Sequence, residues 1–222
     1  MNVENFVEQI NELEFQTELD CINKVAAEVE GFSGPYVMKL LNMAISNMED
    51  DEYFLEIGTH QGRTLIGGLV GNESKDAVAV DNFSMFNNNT KAKLLANIEK
   101  FDMKEQICFL EIDTSIFFQT QMPRENGNVG VYFYDGNHNT EQGLKGLCDA
   151  VPYLADEAVI ILDDFSSHGV WLSVFQFLAK YPAETALLFS MRTNGFPFPH
   201  EMWWNGIVII HWKSDRNIST GT

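Results

Sequence analysis

The stretch Glu56-Ile57-Gly58-Thr59-His60-Gln61-Gly62-Arg63 decides how this chain is read. It leaves a short apolar run, Tyr53–Ile57, and enters a stretch of helical periodicity near Arg63–Val70. A strand that turns through glycines into a helix presents the free N–H groups of the helix start, which favour a carboxylate or phosphate. Gly58 allows backbone torsions that a side chain forbids, and Gly62 lets backbone and ligand come close. Glu56 precedes the turn, beside the expected ligand position. The spacing G-x-x-x-G differs from the dinucleotide fingerprint G-x-G-x-x-G. Taken alone, such a glycine pair is equally well a purely structural turn.

Outward from this turn the same texture repeats. Ala77–Val80 ends at Asp81, Ile107–Ile112 at Asp113, Val129–Tyr134 at Asp135 and Ala158–Leu162 at Asp163-Asp164. Helical stretches follow near Lys91–Phe101, Glu141–Tyr153 and Gly169–Lys180, with a short one after Asp113. Strands that are apolar throughout and alternate with helices predict a parallel sheet covered on both faces. Thr185–Ser190 and Gly206–Trp212, joined directly through Asn194-Gly195-Phe196-Pro197, predict an antiparallel hairpin that closes one edge. The total is about seven strands in an α/β, three-layer arrangement.

Upstream, residues 1–50 predict two or three helices that form a cap belonging to the same domain, with residues 51–222 as the core. Val3, Phe6, Val7 and Ile10 recur at helical spacing, as do Ile22, Val25, Ala26 and Val29. Gly31-Phe32-Ser33-Gly34-Pro35 breaks the chain, and Pro35 suits the first turn of the next helix. The chain has 222 residues, 45% of them hydrophobic, which suffices for one domain with a full core. Cys21, Cys108 and Cys148 lie far apart without C-x-x-C spacing and are expected to be buried, reduced thiols in a cytoplasmic protein. The formal net charge of −18 repels phosphate backbones and anionic lipids, so neither nucleic acid nor membrane is an expected partner. No apolar run approaches the roughly 20 residues of a membrane span.

The second signal after the glycine turn is Asp81 with Asn82, one βα unit later. A carboxylate there accepts both hydroxyls of a ribose, or else caps a turn. Asp113 either faces an adenine amino group or caps the following helix. Asp135, Asp163 and Asp164 close the fourth and fifth strands, and all strand C-termini of a parallel sheet open on one edge. Clustered carboxylates repel unless a cation joins them, and hard oxygen ligands suit Mg²⁺ or a similar divalent ion. The competing reading is that some of them cap helices or turns. His138 lies three residues after Asp135. It is placed to serve as a general base, or only to hydrogen-bond the Asp163-Asp164 loop. His168 is a second candidate base.

The order E-I-G-T-x-x-G, a strand ending in Asp81, Asp135-Gly136-Asn137-His138 and Asp163-Asp164 resembles the class I S-adenosylmethionine-dependent methyltransferases. More narrowly it is similar to the small-molecule O-methyltransferases with a DGxH … DD pattern, the macrocin type and more distantly the catechol type. The resemblance covers roughly residues 53–212. It implies a Rossmann-like sheet with an antiparallel last strand. It implies a cofactor site at Glu56, Gly58, Thr59, His60, Gly62, Asp81, Asn82, Asp113 and Asp135. It implies a divalent metal on Asp135, Asp163 and Asp164, and catalysis by His138 with Asp135. In the catechol-type relatives a lysine stands where His138 stands here. The expected activity is O-methylation of a small hydroxylated molecule, with a second copy of the chain as the expected assembly partner. Two rivals stand beside it: a methyltransferase-like domain that binds without turnover, and an NAD-type oxidoreductase. The second lacks its glycine fingerprint. Trp203, Trp204, Phe196, Phe198 and His200 either line an acceptor pocket or pack the core. Arg63 pairs with Glu56, with the cofactor carboxylate, or at the surface.

Overall fold

Each of the five apolar runs between the cap and the hairpin forms a strand in the computed structural model, which describes residues 1–11, 20–85, 89–121 and 128–214. Their ranges are β1 Tyr53–Ile57, β2 Asp76–Asp81, β3 Ile107–Glu111, β4 Val129–Tyr134 and β5 Leu154–Asp163. Two further strands, β6 Thr185–Met191 and β7 Ile207–Lys213, complete a seven-stranded sheet of order β3-β2-β1-β4-β5-β7-β6. β1 to β5 are parallel, and β7 is antiparallel to both β5 and β6. The closing strand is thus β7, slotted between β5 and the edge strand β6.

Three cap helices, α1 Val3–Asn11, α2 Asp20–Glu28 and α3 Pro35–Ser46, precede the sheet. Between the strands lie α4 Arg63–Leu69, α5 Thr90–Lys100, α6 Thr114–Thr120, α7 Thr140–Ala150 with a 3₁₀ turn at Val151–Tyr153, and α8 His168–Lys180. The helices cover both faces, which is why the strands read as unbroken apolar runs. Successive side chains of a strand point to opposite faces. Phe54, Val131, Phe133, Val159, Ile161 and Ile209 enter one core with the three cap helices, α4 and α5. Leu55, Ile57, Tyr132, Ile160, Leu162 and Ile210 enter the other, beneath α6, α7 and α8. The cap therefore shares a core with the sheet.

β1 and β4 are neighbours although two strands separate them in sequence, so the chain reverses its direction of winding between them. In an open α/β sheet, ligands bind outside the strand C-termini at this switch point. Asp113 caps α6: its side chain accepts a hydrogen bond from the Ser115 N–H at 2.8 Å. Asn139 caps α7 in the same way through the Glu141 N–H at 2.9 Å. The cysteines depart from expectation. All are free, but Cys21 and Cys108 are exposed and Cys148 is half-buried. Cys108 lies on the sheet edge strand β3, which no helix covers completely, and this outweighs the usual preference of a thiol for the interior. Among the described residues no helix is long and apolar enough to cross a membrane.

Candidate functional site

A cavity of about 820 Å³ opens at the switch point. Its floor is the turn after β1. Gly58 has φ +90°, and a Cβ there would stand 2.0 Å from the carbonyl oxygen of Asp135. Glycine at this position lets the β1 turn and the end of β4 lie against each other. Gly62 has φ +86° and caps α4 in the left-handed conformation. The atom its Cβ would meet first is Leu94 Cδ1, at 2.8 Å. The structure therefore explains Gly62 by backbone torsion and helix packing, and it does not lie on the cavity wall. The residues that do form the wall include Gly58, Thr59, His60, Asp81, Asn82, Asp113 and Asp135, with Asp163, Asp164 and His138.

Asp81 is held by two backbone donors. Its Oδ2 accepts from the His60 N–H and its Oδ1 from the Phe83 N–H, each at 2.7 Å. Of the two readings of this residue the turn cap is the one seen, and the carboxylate also lines the cavity with lone pairs left over. Asn82 accepts from the Ser84 N–H at 3.0 Å and donates to Asp113 at 3.2 Å, which ties the ends of β2 and β3 together.

Glu56 lies behind the wall, on the α4 side. It is fully buried; Oε1 accepts from the Thr64 hydroxyl at 2.8 Å, and Oε2 has no partner. Burial pushes its carboxyl well above the usual range. Arg63 also lines the cavity, and its Nη1 donates to the carbonyls of Val29 and Gly31 at 3.3 and 3.4 Å. It thereby clamps the loop before α3 onto the glycine turn.

The acidic group sits opposite. One ligand atom each of Asp135, His138 and Asp164 lies within 4.8 Å of the others. His138 Nε2 is 2.7 Å from Asp164 Oδ2 and 3.8 Å from Asp135 Oδ1. Asp164 Oδ1 accepts from Asn205 Nδ2 at 2.6 Å. The sequence reading placed Asp163 in this group. Its Oδ1 instead accepts the Asp164 N–H at 2.8 Å, and His138 takes the third corner. The reason is the bend after β5: Asp164 has φ +55°, so consecutive aspartates point in different directions. A second close approach aligns the histidine loop. A Cβ on Gly169 would stand 2.0 Å from the His138 carbonyl oxygen.

The electrostatics follow from this crowding. Burial raises Asp135 to about 6, against the pull of His138, and burial raises Asp163 well above its usual range. Asp135 and Asp164 together raise His138 to about 10, so it carries a proton at neutral pH. Only Asp164 is within hydrogen-bond distance of the ring; Asp135 acts across 3.8 Å. Burial lowers the His60 imidazole below its ordinary range.

Other candidates separate clearly. His168 stacks on Trp171 and is off the cavity wall. Trp203 is core, packed on Tyr36 and Phe189, whereas Trp204 and Phe196 line the cavity. Phe198 and His200 do not line it. Residues 86–88, between β2 and α5, lie outside the described residues. Asn205 and the Phe32-Ser33 pair were missed by sequence reasoning. The break at Gly31–Pro35 marked the latter as a loop, but nothing local says that it folds over the glycine turn.

Sheet order, switch-point cavity and terminal antiparallel strand define a Rossmann-like methyltransferase fold, and solved structures agree. The O-methyltransferase TomG from Streptomyces achromogenes, involved in tomaymycin synthesis and solved with SAM, aligns with a TM-score of 0.67 at 12% identity over 96% of this chain and 100% of that one. An O-methyltransferase from Bacillus cereus in complex with SAH aligns with a TM-score of 0.62 at 14% identity, over 95% and 100%. A precorrin-6y C5,15-methyltransferase from Geobacter metallireducens aligns at 0.58 and 14%, over 80% and 87%. A comparison with curated proteins returns no match. The family model of a methyltransferase domain matches residues 55–165, and the chain belongs to that family: it is a methyltransferase.

Proposed function

We propose that the protein transfers the methyl group of S-adenosylmethionine to a hydroxyl of a small molecule, with a divalent cation assisting. The observation that carries this is the meeting of two sets of residues in one cavity: the glycine turn with Asp81, and the Asp135–His138–Asp164 group. The TomG and Bacillus cereus structures, bound to SAM and SAH, support the cofactor assignment.

The charges favour a sulfonium cofactor. Asp81 presents its carboxylate to a ribose. The unpartnered Oε2 of Glu56 and the raised carboxyls of Asp135 and Asp163 all gain from a nearby positive charge, which S-adenosylmethionine brings at its sulfonium and ammonium groups. A dinucleotide's pyrophosphate would add negative charge to the same cavity.

Two carboxylates and an imidazole within 4.8 Å are a donor set that fits Mg²⁺ or Mn²⁺. Asp135, His138 and Asp164 would hold the ion. When bound, it lowers the pKa of an acceptor hydroxyl. The chain's own contribution is positioning plus removal of one proton. The acceptor oxygen forms a bond to the methyl carbon, and the carbon–sulfur bond breaks with its electron pair going to sulfur. The products are an O-methyl compound and S-adenosylhomocysteine. Where the ion is absent, the hydroxyl proton passes to His138 in its neutral form, whose orientation is fixed by Asp164, itself fixed by Asn205; were the ion held by the same ring, the proton would pass to water. Calorimetry with S-adenosylmethionine and S-adenosylhomocysteine tests the reading. Micromolar binding of both is expected, and no binding of either at millimolar concentration sinks it.

A further inference from the structure

Most of the charge on the cavity wall is acidic, yet one basic residue there meets no acid. Among the described lining residues, Arg63 and Lys145 carry permanent positive charge. Lys145 pairs with Asp149. The half-buried Arg63 guanidinium donates from Nη1 to the carbonyls of Val29 and Gly31, and its Nε is buried without a partner. Burial lowers its pKa, and no neighbouring carboxylate pulls the other way. A cation taken partly out of water and met only by neutral carbonyls gains from an anion.

Two hydroxyls share this condition. Ser33 and Thr59 both line the cavity and are only 6% and 1% exposed, and neither Ser33 Oγ nor Thr59 Oγ1 has a hydrogen-bond partner. Each belongs to a segment that touches Arg63. Ser33 follows Gly31 in the cap loop, and a Cβ on Gly31 would stand 2.8 Å from Arg63 Cβ. Thr59 opens the turn that leads into Arg63, its carbonyl accepting the Gly62 N–H at 2.8 Å. Buried donors without partners are rare and costly in a folded chain. Their gathering in these adjoining segments marks a ligand position.

The donors set the class of ligand. A guanidinium and two hydroxyls match the paired oxygens of a carboxylate. Asp81, Asp113, Asp135, Asp163 and Asp164 line the same cavity and oppose a second negative charge, so a phosphate dianion fits less well. We infer that Arg63, Ser33 and Thr59 form a carboxylate-binding position in the cavity wall. Its two sources follow from the methyl-transfer reading, on which this choice rests: the amino-acid end of the cofactor, or an acid group carried by the acceptor.

The test is calorimetry on the full chain with two matched pairs of probes. S-adenosylhomocysteine is set against its decarboxylated form, which keeps the amine. 3,4-Dihydroxybenzoate is set against 3,4-dihydroxybenzyl alcohol, both with Mg²⁺ present. Arg63→Met should weaken the carboxylate member of one pair by about 10- to 100-fold, and the member without it by less than about 3-fold. Arg63→Lys, which keeps the charge but not the fork, should recover part of the loss. Arg63 also holds the cap loop, so Ser33→Ala and Thr59→Val repeat the test without touching that clamp. Each should cost the same carboxylate about 3- to 10-fold. The melting temperature should stay level or rise, because the hydroxyl removed has no partner to lose. Loss confined to S-adenosylhomocysteine assigns the position to the cofactor, and loss confined to the benzoate assigns it to the acceptor; either supports the site. Equal losses within both pairs, or none, overturn it, as does a fall in melting temperature of the hydroxyl variants with affinity unchanged. If S-adenosylhomocysteine does not bind the wild type, the methyl-transfer reading has failed, and the benzoate pair alone decides the site.

Discussion

The two halves of the cavity deal with negative charge in opposite ways. On the β1–β2 side, Asp81 is satisfied by two backbone N–H groups at 2.7 Å, and its position is fixed before any ligand arrives. On the β4–β5 side, the Asp135 and Asp164 carboxylates crowd a single imidazole, which holds a proton up to about 10. The Asp81 carboxylate is held in place as folded. The second half carries charges that a cation would balance. Preorganised groups suit binding, whereas groups whose protonation depends on a partner suit chemistry at that partner.

This contrast is sharpest in mutants that separate turnover from binding. His138→Ala or Asp164→Ala should lower turnover by about 10²–10⁴-fold, the usual contribution of a positioned base. Both should leave S-adenosylhomocysteine affinity nearly unchanged by calorimetry. A parallel loss of cofactor affinity would erase the division between the halves. Asp81→Ala should do the reverse. Losing a charge-assisted acceptor typically costs about 1.5–3 kcal/mol, so cofactor affinity should fall by roughly 10- to 150-fold.

The pH dependence tests the second half directly. Without divalent cation, activity should climb as pH rises toward about 10, because protonated His138 cannot accept a proton. Adding Mg²⁺ should shift the midpoint downward, since a cation beside Asp135 and Asp164 disfavours the imidazolium. NMR titration of the His138 ring checks both arms. The stability sign runs the other way: a raised histidine pKa contributes stability that is fully present below the ordinary histidine range and is lost as pH rises through about 10. Thermal unfolding from pH 6 upward should register that loss, and His138→Ala should remove it. The smallest effect belongs to Phe198→Ala. Phe198 is 73% exposed and off the cavity wall, so stability should stay within about 0.5 kcal/mol and acceptor binding should not change.

Much of the fold was legible because its signals are local. An apolar run ending in Asp81 or Asp135 is a strand that is buried on both faces and stops at the ligand edge. Pro35 at the start of α3 and Asp113 at the start of α6 mark helix beginnings through their own chemistry. The site was legible as a set of positions. Its internal geometry was not: Asp163 and Asp164 are adjacent in sequence, and only the left-handed torsion at Asp164 turns one toward His138 and the other back onto the chain. Asn205, from the segment that joins β6 to β7, reaches Asp164 across 41 residues of sequence.

The sequence alone determined the α/β class, the strand ends and the residue types gathered there, because hydrophobic periodicity and turn chemistry act between near neighbours. Tertiary structure decided which carboxylates meet which imidazole, and that Gly62 serves helix packing rather than the cavity wall. It also decided that Phe32 from the cap faces Trp204 from the far end of the chain. These depend on sheet order and on backbone approaches such as Gly58 to Asp135 and Gly169 to His138, which bring together segments that no local signal connects.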